Sequence, residues 1–458
     1  MPFTIDKSHA SAVQEQKLPE DDATCHLPAS GMDSDSILKL FHHEVGELKT
    51  VPPERNLGSL LTHDMDAYAD QLILEGCKQN VVDGNCNPYP RIIENRLIQM
   101  QAHLFHCPDT ATPTGICTAG SSEAIFLALQ MHRWRWHENH AMAPKLGANL
   151  NIICGADVHT CWSKFADFFN VELRVIPITD TCFTINPESV KPLIDANTLA
   201  VGVVAGKTYT GHIDDIDGIN SLLVEHKKKT GKDIPIHVDA AGGGFVLPFI
   251  EPDLKWDFRL EQVHSISVSN HKYGFVYPGL GTVIFRDIKT TAEKLQFNIN
   301  FLNNTMQNYS FAYSRNSAML YAQYYMFLRL GFSGYKTNIQ DIMESKHNLE
   351  RKLVNTGAIR LISEQSPMPY IVITFLDSRY SPYSISDSLR KCGWIVPAYS
   401  LPPDADQIHV LRMVIRKSFT KALAEQFFRD FTIAMKTCLQ NSQASINSFV
   451  LPSPYSDC

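Results

Sequence analysis

The chain lacks several features that would assign it to well-known classes of protein. No apolar run approaches the roughly 20 residues that span a bilayer, and the polar start from Met1 to Ser34 has no apolar signal core. The formal net charge is −7 and no stripe of lysines and arginines with interleaved aromatics occurs, which argues against nucleic acid as a partner. The 11 cysteines are odd in number and include no Cys-x-x-Cys pair, so we expect a reduced, cytoplasmic protein.

The composition and the periodicity that remain are those of a globular enzyme. The 458 residues are 44% hydrophobic and 19% charged, which suits a protein of two or more domains. Between about residues 112 and 290, short apolar runs alternate with amphipathic segments, which predicts an α/β fold with a mostly parallel sheet. The predicted strands are 150–154, 171–177, 199–205, 234–239, 263–269 and 281–286. The predicted helices are 121–137, 160–169, 187–195, 215–229 and 255–260.

The same patterns divide the chain into five segments. We expect a mobile arm at 1–34, a helical segment at 35–110, a large α/β domain at 111–316, a small α+β domain at 317–440 and an irregular tail at 441–458. Within the helical segment, apolar residues recur at helical spacing from Arg91 to Phe105. The elements predicted for the small domain are a helix at 317–333, strands at 369–375 and 409–415, and helices at 384–391 and 420–440.

Two apolar runs of the predicted sheet end in reactive side chains. One run ends at Asp239, and the other leads into the turn 269–274, which contains Lys272. Because the carboxyl ends of neighbouring parallel strands meet at one edge of a sheet, we expect the carboxylate and the amine to lie close together. A lysine that forms a Schiff base and a carboxylate that protonates a pyridine nitrogen are what pyridoxal 5'-phosphate (PLP) chemistry requires. Taken singly, a lysine in a turn is usually a solvated surface charge and an aspartate after a strand is usually a cap.

The segment from Gly120 to Ala124 opens the predicted helix 121–137 and allows two interpretations. One is an ordinary N-cap with Glu123 in the first turn. The other is a phosphate site, in which glycine permits close approach of the backbone, two serine hydroxyls donate, and the helix start favours an anion. The presence of Lys272 and Asp239 elsewhere in the chain favours the phosphate site.

These motifs, taken together, resemble the group II PLP-dependent amino-acid decarboxylases, and within them the glutamate decarboxylases. The resemblance covers roughly residues 35–440 and implies a PLP-dependent transferase fold of the aspartate aminotransferase type (fold type I). The motifs that carry it are Gly120–Ala124, Tyr209–Gly211, His237–Ala241, Trp256–Leu260, Ser269–Gly274, Tyr277–Gly281 and Ile284–Asp287.

The resemblance implies a role for each matching position in holding PLP. It implies the Schiff base at Lys272, with Asp239 at the ring nitrogen and His271 at the phosphate or the substrate. It implies that His159 stacks on one face of the ring and Ala241 packs on the other, although His159 is also placed to cap helix 160–169. The remaining cofactor contacts that it implies are Ser121, Ser122, Thr208, Ser269 and, from a second subunit, Ser314.

The resemblance also implies an acidic amino acid as the substrate of a homodimer or higher homo-oligomer with shared active sites. Arg412 would bind the α-carboxylate, for which bidentate, charge-assisted hydrogen bonds are suited. The family has a Thr-Phe pair at the distal carboxylate, and the matching positions here are Ser59 and Leu60. Asn80 and Asp83 match family residues that face the distal carboxylate from the partner subunit.

One position departs from the family in a way that bears on the reaction. The loop tyrosine that protonates the α-carbon in the family aligns with Phe301, which cannot donate a proton. The resemblance as a whole predicts decarboxylation of a glutamate-like amino acid to the amine and CO₂. It leaves open Tyr309 as the proton donor, an oxidative or carbon–carbon bond-forming reaction on the same scaffold, and a catalytically silent binding subunit.

The run His103–Cys107 is the one other cluster with side chains that ligate metals. It holds two histidines and a cysteine within five residues. Because a structural zinc site needs four ligands and no second cluster with suitable spacing occurs, we expect a helix end packed in the core and no metal.

Overall fold

The structure is a computed structural model of the chain. It describes residues 30–47, 51–62, 64–83, 87–108, 114–139, 149–287, 297–299, 306–308 and 310–448. Most of the predicted arm at 1–34 therefore lies outside the described residues.

The described residues form helices in three groups, before, within and after the large sheet. The α-helices are α1 (Ser34–Glu47), α2 (Ala67–Gly76), α3 (Tyr89–Leu104), α4 (Ser121–Asn139), α5 (Cys161–Phe169), α6 (Pro187–Val190), α7 (Ile216–Thr230), α8 (Leu247–Ile250), α9 (Ala318–Val354), α10 (Pro382–Lys391) and α11 (Lys421–Ser448). None of the helices in the described ranges is long and apolar enough to cross a membrane.

The strands fall into a large sheet, a small sheet and a two-stranded hairpin. The strands are β1 (Thr114–Thr118), β2 (Asn151–Gly155), β3 (Glu172–Ile176), β4 (Thr198–Val204), β5 (Ile236–Asp239), β6 (Val263–Val268), β7 (Gly281–Phe285), β8 (Phe297–Ile299), β9 (Met306–Asn308), β10 (Ile359–Leu361), β11 (Tyr370–Phe375), β12 (Ala398–Ser400) and β13 (His409–Val414).

The large sheet is the scaffold on which the site is built. Its strand order is β1-β7-β6-β5-β4-β2-β3, with β7 the antiparallel member between β1 and β6. The other pairs are parallel. Every residue of β2, β4, β5, β6 and β7 is buried, as expected of a sheet covered on both faces. The predicted parallel sheet and all six of its predicted strands are confirmed, with ends shifted by at most two residues.

The carboxyl ends of six strands share one edge of this sheet. The chain leaves β2 toward Asp157, β4 toward Thr208 and β6 toward Ser269, while β5 ends at Asp239 itself. Strand β1 runs in the same direction and leads into Gly120, at the start of α4. Loops that are far apart in sequence therefore converge at this edge.

The small domain packs an antiparallel sheet against helices. The order of that sheet is β10-β11-β13-β12, and α10 and α11 contact each other beside it. The long helix α9 leads into the domain and is interrupted at Gly331, whose φ of 60° is left-handed. The break is where the sequence pattern ended the predicted helix 317–333, but a second helical segment follows it to Val354.

Several elements differ from the prediction, for identifiable reasons. The predicted helix 255–260 is wrong, because Trp256, Phe258 and Leu260 are all buried in an irregular segment. There Asp257 accepts from the backbone and the side chain of Arg259. The predicted helix 187–195 ends early, in a 3₁₀ turn at Lys191–Leu193, and helix 420–440 continues to Ser448, into the predicted irregular tail.

Candidate active site

A cavity of about 170 Å³ opens at the carboxyl edge of the large sheet. Its lining includes most of the side chains that the sequence singled out for cofactor binding. The lining residues are Gly120, Ser121, Ser122, Asp157, His159, Val204, Gly206, Thr208, Asp239, Ala241, Gly242, Ser269, His271 and Lys272.

Lys272 brings an amine to this cavity from the turn that follows β6. Its backbone N–H donates to the carbonyl of Ser269, and its own carbonyl accepts from the Thr62 hydroxyl. Burial lowers the pKa of Lys272, opposed by the carboxylate of Asp239 and assisted by the guanidinium of Arg412. A lysine whose pKa is lowered has more of its amine neutral at a given pH, which is the form that attacks an aldehyde.

Asp239 brings a carboxylate to the same cavity. Its side chain is buried, and Oδ1 accepts a hydrogen bond of 3.0 Å from the backbone N–H of Ala241. No donor among the described residues bonds Oδ2. When the backbone holds one oxygen of a buried carboxylate, the other oxygen can accept a hydrogen bond from a protonated ring nitrogen.

The start of α4 forms a place for an anion. The first N–H groups of a helix have no partner within the helix, and two hydroxyls lie beside them, since Ser269 Oγ donates to Ser121 Oγ at 2.7 Å. A Cβ added to Gly120 would meet only His271 Cε1, at 3.9 Å. A Cβ on Gly281 would lie 2.4 Å from the Gly120 carbonyl carbon, so only glycine fits behind this turn.

The two histidines have defined hydrogen bonds. Nδ1 of His271 donates to the carbonyl of Leu280 at 3.1 Å, which leaves Nε2 as an acceptor, and burial lowers the pKa of His271. His159 lines the cavity and also accepts from the backbone N–H of Cys161 through Nδ1. Partial burial lowers the pKa of His159. His159 therefore lies in the cavity wall and bonds the first turn of α5, and its stacking on the cofactor ring stays a prediction.

Arg412 lies between the small domain and the cavity. Its Nη1 donates to the carbonyl of Thr208 at 2.7 Å, and its Nη2 donates to the carbonyl of Gly58 at 3.0 Å. The Nε atom is buried without a partner in the described part of the chain. The segment 53–62, which carries the predicted substrate residues Ser59 and Leu60, is therefore held beside the site.

Several predicted site residues do not reach the cavity of this single chain. Ser314 is exposed. Asn80 Oδ1 accepts from the backbone N–H of Arg315 at 3.2 Å, and the carbonyl of Asp83 accepts from the N–H of Asn87 at 3.0 Å. Phe301 and Tyr309, the two loop positions on which the proton-transfer prediction rests, lie outside the described residues.

In the cluster His103–Cys107, Phe105 and Cys107 are buried in the core, while His103 and His106 are exposed. His106 Nδ1 lies 2.9 Å from a carboxylate oxygen of Asp257, and the thiol of Cys107 donates to the carbonyl of Arg286 at 3.2 Å. These side chains bond to different partners and do not converge.

Sequence reasoning missed a buried group of charges behind the cavity. Lys207 Nζ lies 2.5 Å from Asp157 Oδ1 and 3.0 Å from Asp214 Oδ1, and all three side chains are almost completely buried. The available signal was the position of these residues, each in a loop that follows a predicted strand, with Lys207 directly before Thr208.

The residues of the cavity fit PLP. An amine of lowered pKa, a buried carboxylate with one oxygen unpartnered in the described residues, and an open helix start flanked by serines match the aldehyde, the ring nitrogen and the phosphate of this cofactor. Lys272, Asp239 and Ser121 would therefore hold those three groups.

Comparison with known proteins identifies the same chemistry. The family described as "Pyridoxal-dependent decarboxylase conserved domain" matches residues 52–375. A glutamate decarboxylase of Petunia hybrida is 41% identical over 381 residues, which cover 82% of this chain and 76% of the relative. Glutamate decarboxylase 1 of Arabidopsis thaliana is 40% identical, covering 90% of this chain and 82% of the relative. A solved structure of Lactobacillus brevis glutamate decarboxylase superposes with a TM-score of 0.86 at 32% identity, covering 91% of this chain and 95% of that one, which confirms the predicted fold.

Proposed function

The chain belongs to the pyridoxal-dependent decarboxylase family, and from that premise we propose that it removes the α-carboxyl group of L-glutamate as CO₂ and leaves the corresponding amine. The observation that carries the proposal is the pairing of Lys272 and Asp239 across one cavity, in a chain about two fifths identical to plant glutamate decarboxylases.

When bound, PLP supplies an electron-withdrawing ring that accepts the electrons of the bond to the departing carboxylate. The chain's residues prepare the site for that chemistry. Lys272 would attach the aldehyde through its amine, whose pKa is lowered by burial. Asp239 would keep a proton on the ring nitrogen, and the N–H groups at the start of α4, with Ser121 and Ser122, would hold the phosphate. Ala241, His159, Thr208 and Ser269 also line the cavity and would contact the cofactor there.

Arg412 orients the substrate through its α-carboxylate. Two of its five N–H donors are occupied by backbone carbonyls, which fix the plane of the guanidinium. Nη1 and Nη2 each keep one further N–H donor, and two donors are enough for a carboxylate.

The distal carboxylate of glutamate is recognised at the subunit boundary. Ser59 and Leu60 contribute from the segment 53–62. In a homodimer, the partner subunit's Asn80 and the partner subunit's Asp83 complete that pocket, and the partner subunit's Ser314 reaches the phosphate. The position of these residues outside the cavity of the single chain supports a site that needs a second copy.

An assay of the purified protein with added PLP tests this function. L-glutamate, L-aspartate and L-cysteate are supplied separately, and CO₂, amine and oxygen uptake are followed, with Lys272→Ala as the control. We expect CO₂ and amine in equal amounts from glutamate and none from the control. CO₂ release from aspartate or cysteate but not from glutamate would overturn the substrate. Oxygen uptake with glutamate would show that Phe301 fails to protonate the product, and absence of turnover despite bound PLP would indicate a binding subunit.

A further inference from the structure

Lys207 is the most unusual residue in the described core, because it is a charged side chain with no exposure to solvent. Lysine is almost never fully buried unless it is paired. Burial alone would lower the pKa of Lys207, but the two neighbouring carboxylates outweigh that effect and raise the pKa above its ordinary value. The two carboxylates therefore favour the charged form of Lys207 inside the protein.

The group formed by Lys207, Asp157 and Asp214 is a poor way to stabilise a fold. Its formal net charge is −1, and removing three charges from water costs about as much as their attraction returns. One oxygen of Asp157, Oδ2, is buried with no hydrogen-bond partner in the described residues. Apolar side chains of similar volume often serve stability as well or better. Because stability alone does not explain this group of charges, the backbone segments that it holds in place are the next question.

The three charges join the loops that carry the cavity wall. Asp157 lines the cavity and precedes His159 by two residues. Lys207 stands between Gly206 and Thr208, which also line the cavity. The backbone of Lys207 closes its own loop, since its N–H donates to the carbonyl of His212 and its carbonyl accepts from Gly211.

Asp214 fixes the far end of that loop to the sheet. Its two oxygens accept 2.8 Å hydrogen bonds from the backbone N–H groups of Val204 and Ile185, and Val204 is itself part of the cavity wall. The Thr208 carbonyl is in turn the acceptor for Arg412 Nη1. The ammonium group of Lys207 thus joins the loop that carries His159 to the loop that carries Thr208, whose carbonyl accepts from Arg412.

We propose that Lys207 is a positioning residue of the active site: by binding Asp157 and Asp214 at once, it sets the separation of the loops that present His159 and Thr208 to the cofactor. The proposal rests on the PLP-dependent function proposed above. The space available agrees with a tight fit, because a Cβ on Gly155 would lie 2.9 Å from Asp157 Oδ1 and 3.3 Å from Lys207 Nζ.

The chain contains a matched control in Lys346. This lysine is also buried and pairs with one carboxylate, Glu350, at 3.0 Å, and Glu350 likewise has a buried oxygen without a partner among the described residues. Lys346 lies in α9 and does not line the cavity. Lys207→Met and Lys346→Met thus remove the same charge from similar surroundings, in one case at the site and in the other away from it.

The test measures PLP binding and unfolding side by side. The full-length proteins are equilibrated at a series of free PLP concentrations, bound PLP is read from its absorbance, and unfolding in urea is recorded at saturating PLP. We expect both variants to unfold at lower urea. We expect PLP affinity to fall by about 10–100-fold in Lys207→Met, the size expected when a site is misplaced by ~1 Å, and to stay within about twofold in Lys346→Met because distant sites are independent.

A second variant keeps the proposal open to refutation if Lys207→Met does not fold. The double variant Lys207→Met with Asp157→Asn retains the net charge of −1 and removes the repulsion between the two carboxylates. It still lacks the ammonium group that joins the two loops. It should fold and still bind PLP weakly. Wild-type affinity for PLP in either folded variant would overturn the positioning role. Failure of the wild-type protein to bind PLP would instead overturn the proposed function.

Discussion

The charged side chains that the two domains bring to the site bind different kinds of partner. At the edge of the large sheet, charges face charges: Lys272 lies near Asp239, and Lys207 binds two carboxylates. Just after β13 in the small domain, the guanidinium of Arg416 donates its hydrogen bonds to backbone carbonyls, which are those of Pro53, Asn56 and Leu61.

This difference separates reactivity from placement. At Lys272, burial lowers the pKa and the nearby carboxylate of Asp239 opposes that shift, so the neighbouring charge acts directly on the protonation of the amine. Neutral carbonyls fix the direction of an arginine and locate the chain segment to which they belong. Substitutions in the large domain should therefore remove the chemistry, while substitutions in the small domain should mainly weaken the binding of substrate.

The largest effect is expected at Lys272. Lys272→Ala removes the amine that attaches PLP, so turnover should fall below about a thousandth of wild type, as for other residues that act as part of one catalytic unit. Borohydride reduction of the wild-type protein, followed by peptide mapping, should place the pyridoxyl group on Lys272. A label on another lysine would refute the assignment.

The next effect tests placement at Arg412. Arg412→Met removes the donors proposed for the α-carboxylate, and a hydrogen bond to a charged group contributes about 1.5–3 kcal/mol, so KM for glutamate should rise about 10–100-fold. The affinity for PLP, measured by absorbance, should change little. A large loss of PLP affinity with an unchanged KM would contradict the assignment of cofactor binding to the large domain and substrate binding to the small domain.

A smaller effect is expected at Arg416, which reaches the site only through the segment 53–62. Arg416→Lys replaces a planar fork by a single ammonium group that cannot keep all three carbonyl contacts, so KM should rise by about 3–10-fold with a smaller change in kcat. Hydrogen exchange of the Leu57 and Thr62 amides should become faster. Arg379→Lys, at an exposed ion pair with Asp377, is the control and should change neither quantity.

The remaining prediction concerns stability in acid rather than turnover, and acid should unfold the large domain first. His237, two residues before Asp239, is buried between Ser265 and Ser267, and burial lowers its pKa to about 3. An unfolded histidine titrates near 6.5, so between these values the unfolded chain binds a proton that the folded chain does not. The free energy of unfolding should therefore fall as the pH drops from about 6.5 toward 3, by up to about 1.4 kcal/mol per pH unit for this residue.

The variant His237→Gln isolates that contribution. Its unfolding free energy should depend less steeply on pH in the same interval, whatever its value at neutral pH. Hydrogen exchange at pH 5 should show faster opening of β5 and β6 than of β11 and β13 in the wild-type protein. Equal slopes for the two proteins would show that His237 is not the titrating group.

The convergence of Lys272 and Asp239 at one cavity could be anticipated from the sequence because each follows a short apolar run, whereas Ser121 was assigned from its place at the start of the predicted helix 121–137 and from the family resemblance. The ends of parallel strands in one sheet meet at one edge, so local patterns carry long-range information there. Strand β1 escaped detection because Thr114–Thr118 is short and contains Gly115, whose added Cβ would lie 2.7 Å from the Val283 carbonyl. The three-residue strands β10 and β12 are too short to show alternation.

Burial and distant contacts could not be anticipated in the same way. Lys207 stands beside a glycine in a turn, which in sequence is indistinguishable from a solvated surface lysine. The bond from Arg412 to the Gly58 carbonyl joins positions 354 residues apart, and no local pattern records it. The proposed roles of the partner subunit's residues depend on a second chain and remain predictions.

The attachment of the segment 53–62 has a consequence for the timing of protein synthesis. The carbonyls of Gly58 and Leu61 accept hydrogen bonds from Arg412 and Arg416, and the carbonyl of Leu57 accepts from the backbone N–H of Val414. These partners leave the ribosome more than 350 residues later, which at 5–20 residues per second is a delay of roughly 20–70 s. Through that interval the segment lacks the bonds that hold the carbonyls of Leu57, Gly58 and Leu61, and Arg412 is absent from the site. A nascent chain that has completed its large sheet is therefore still without a working site.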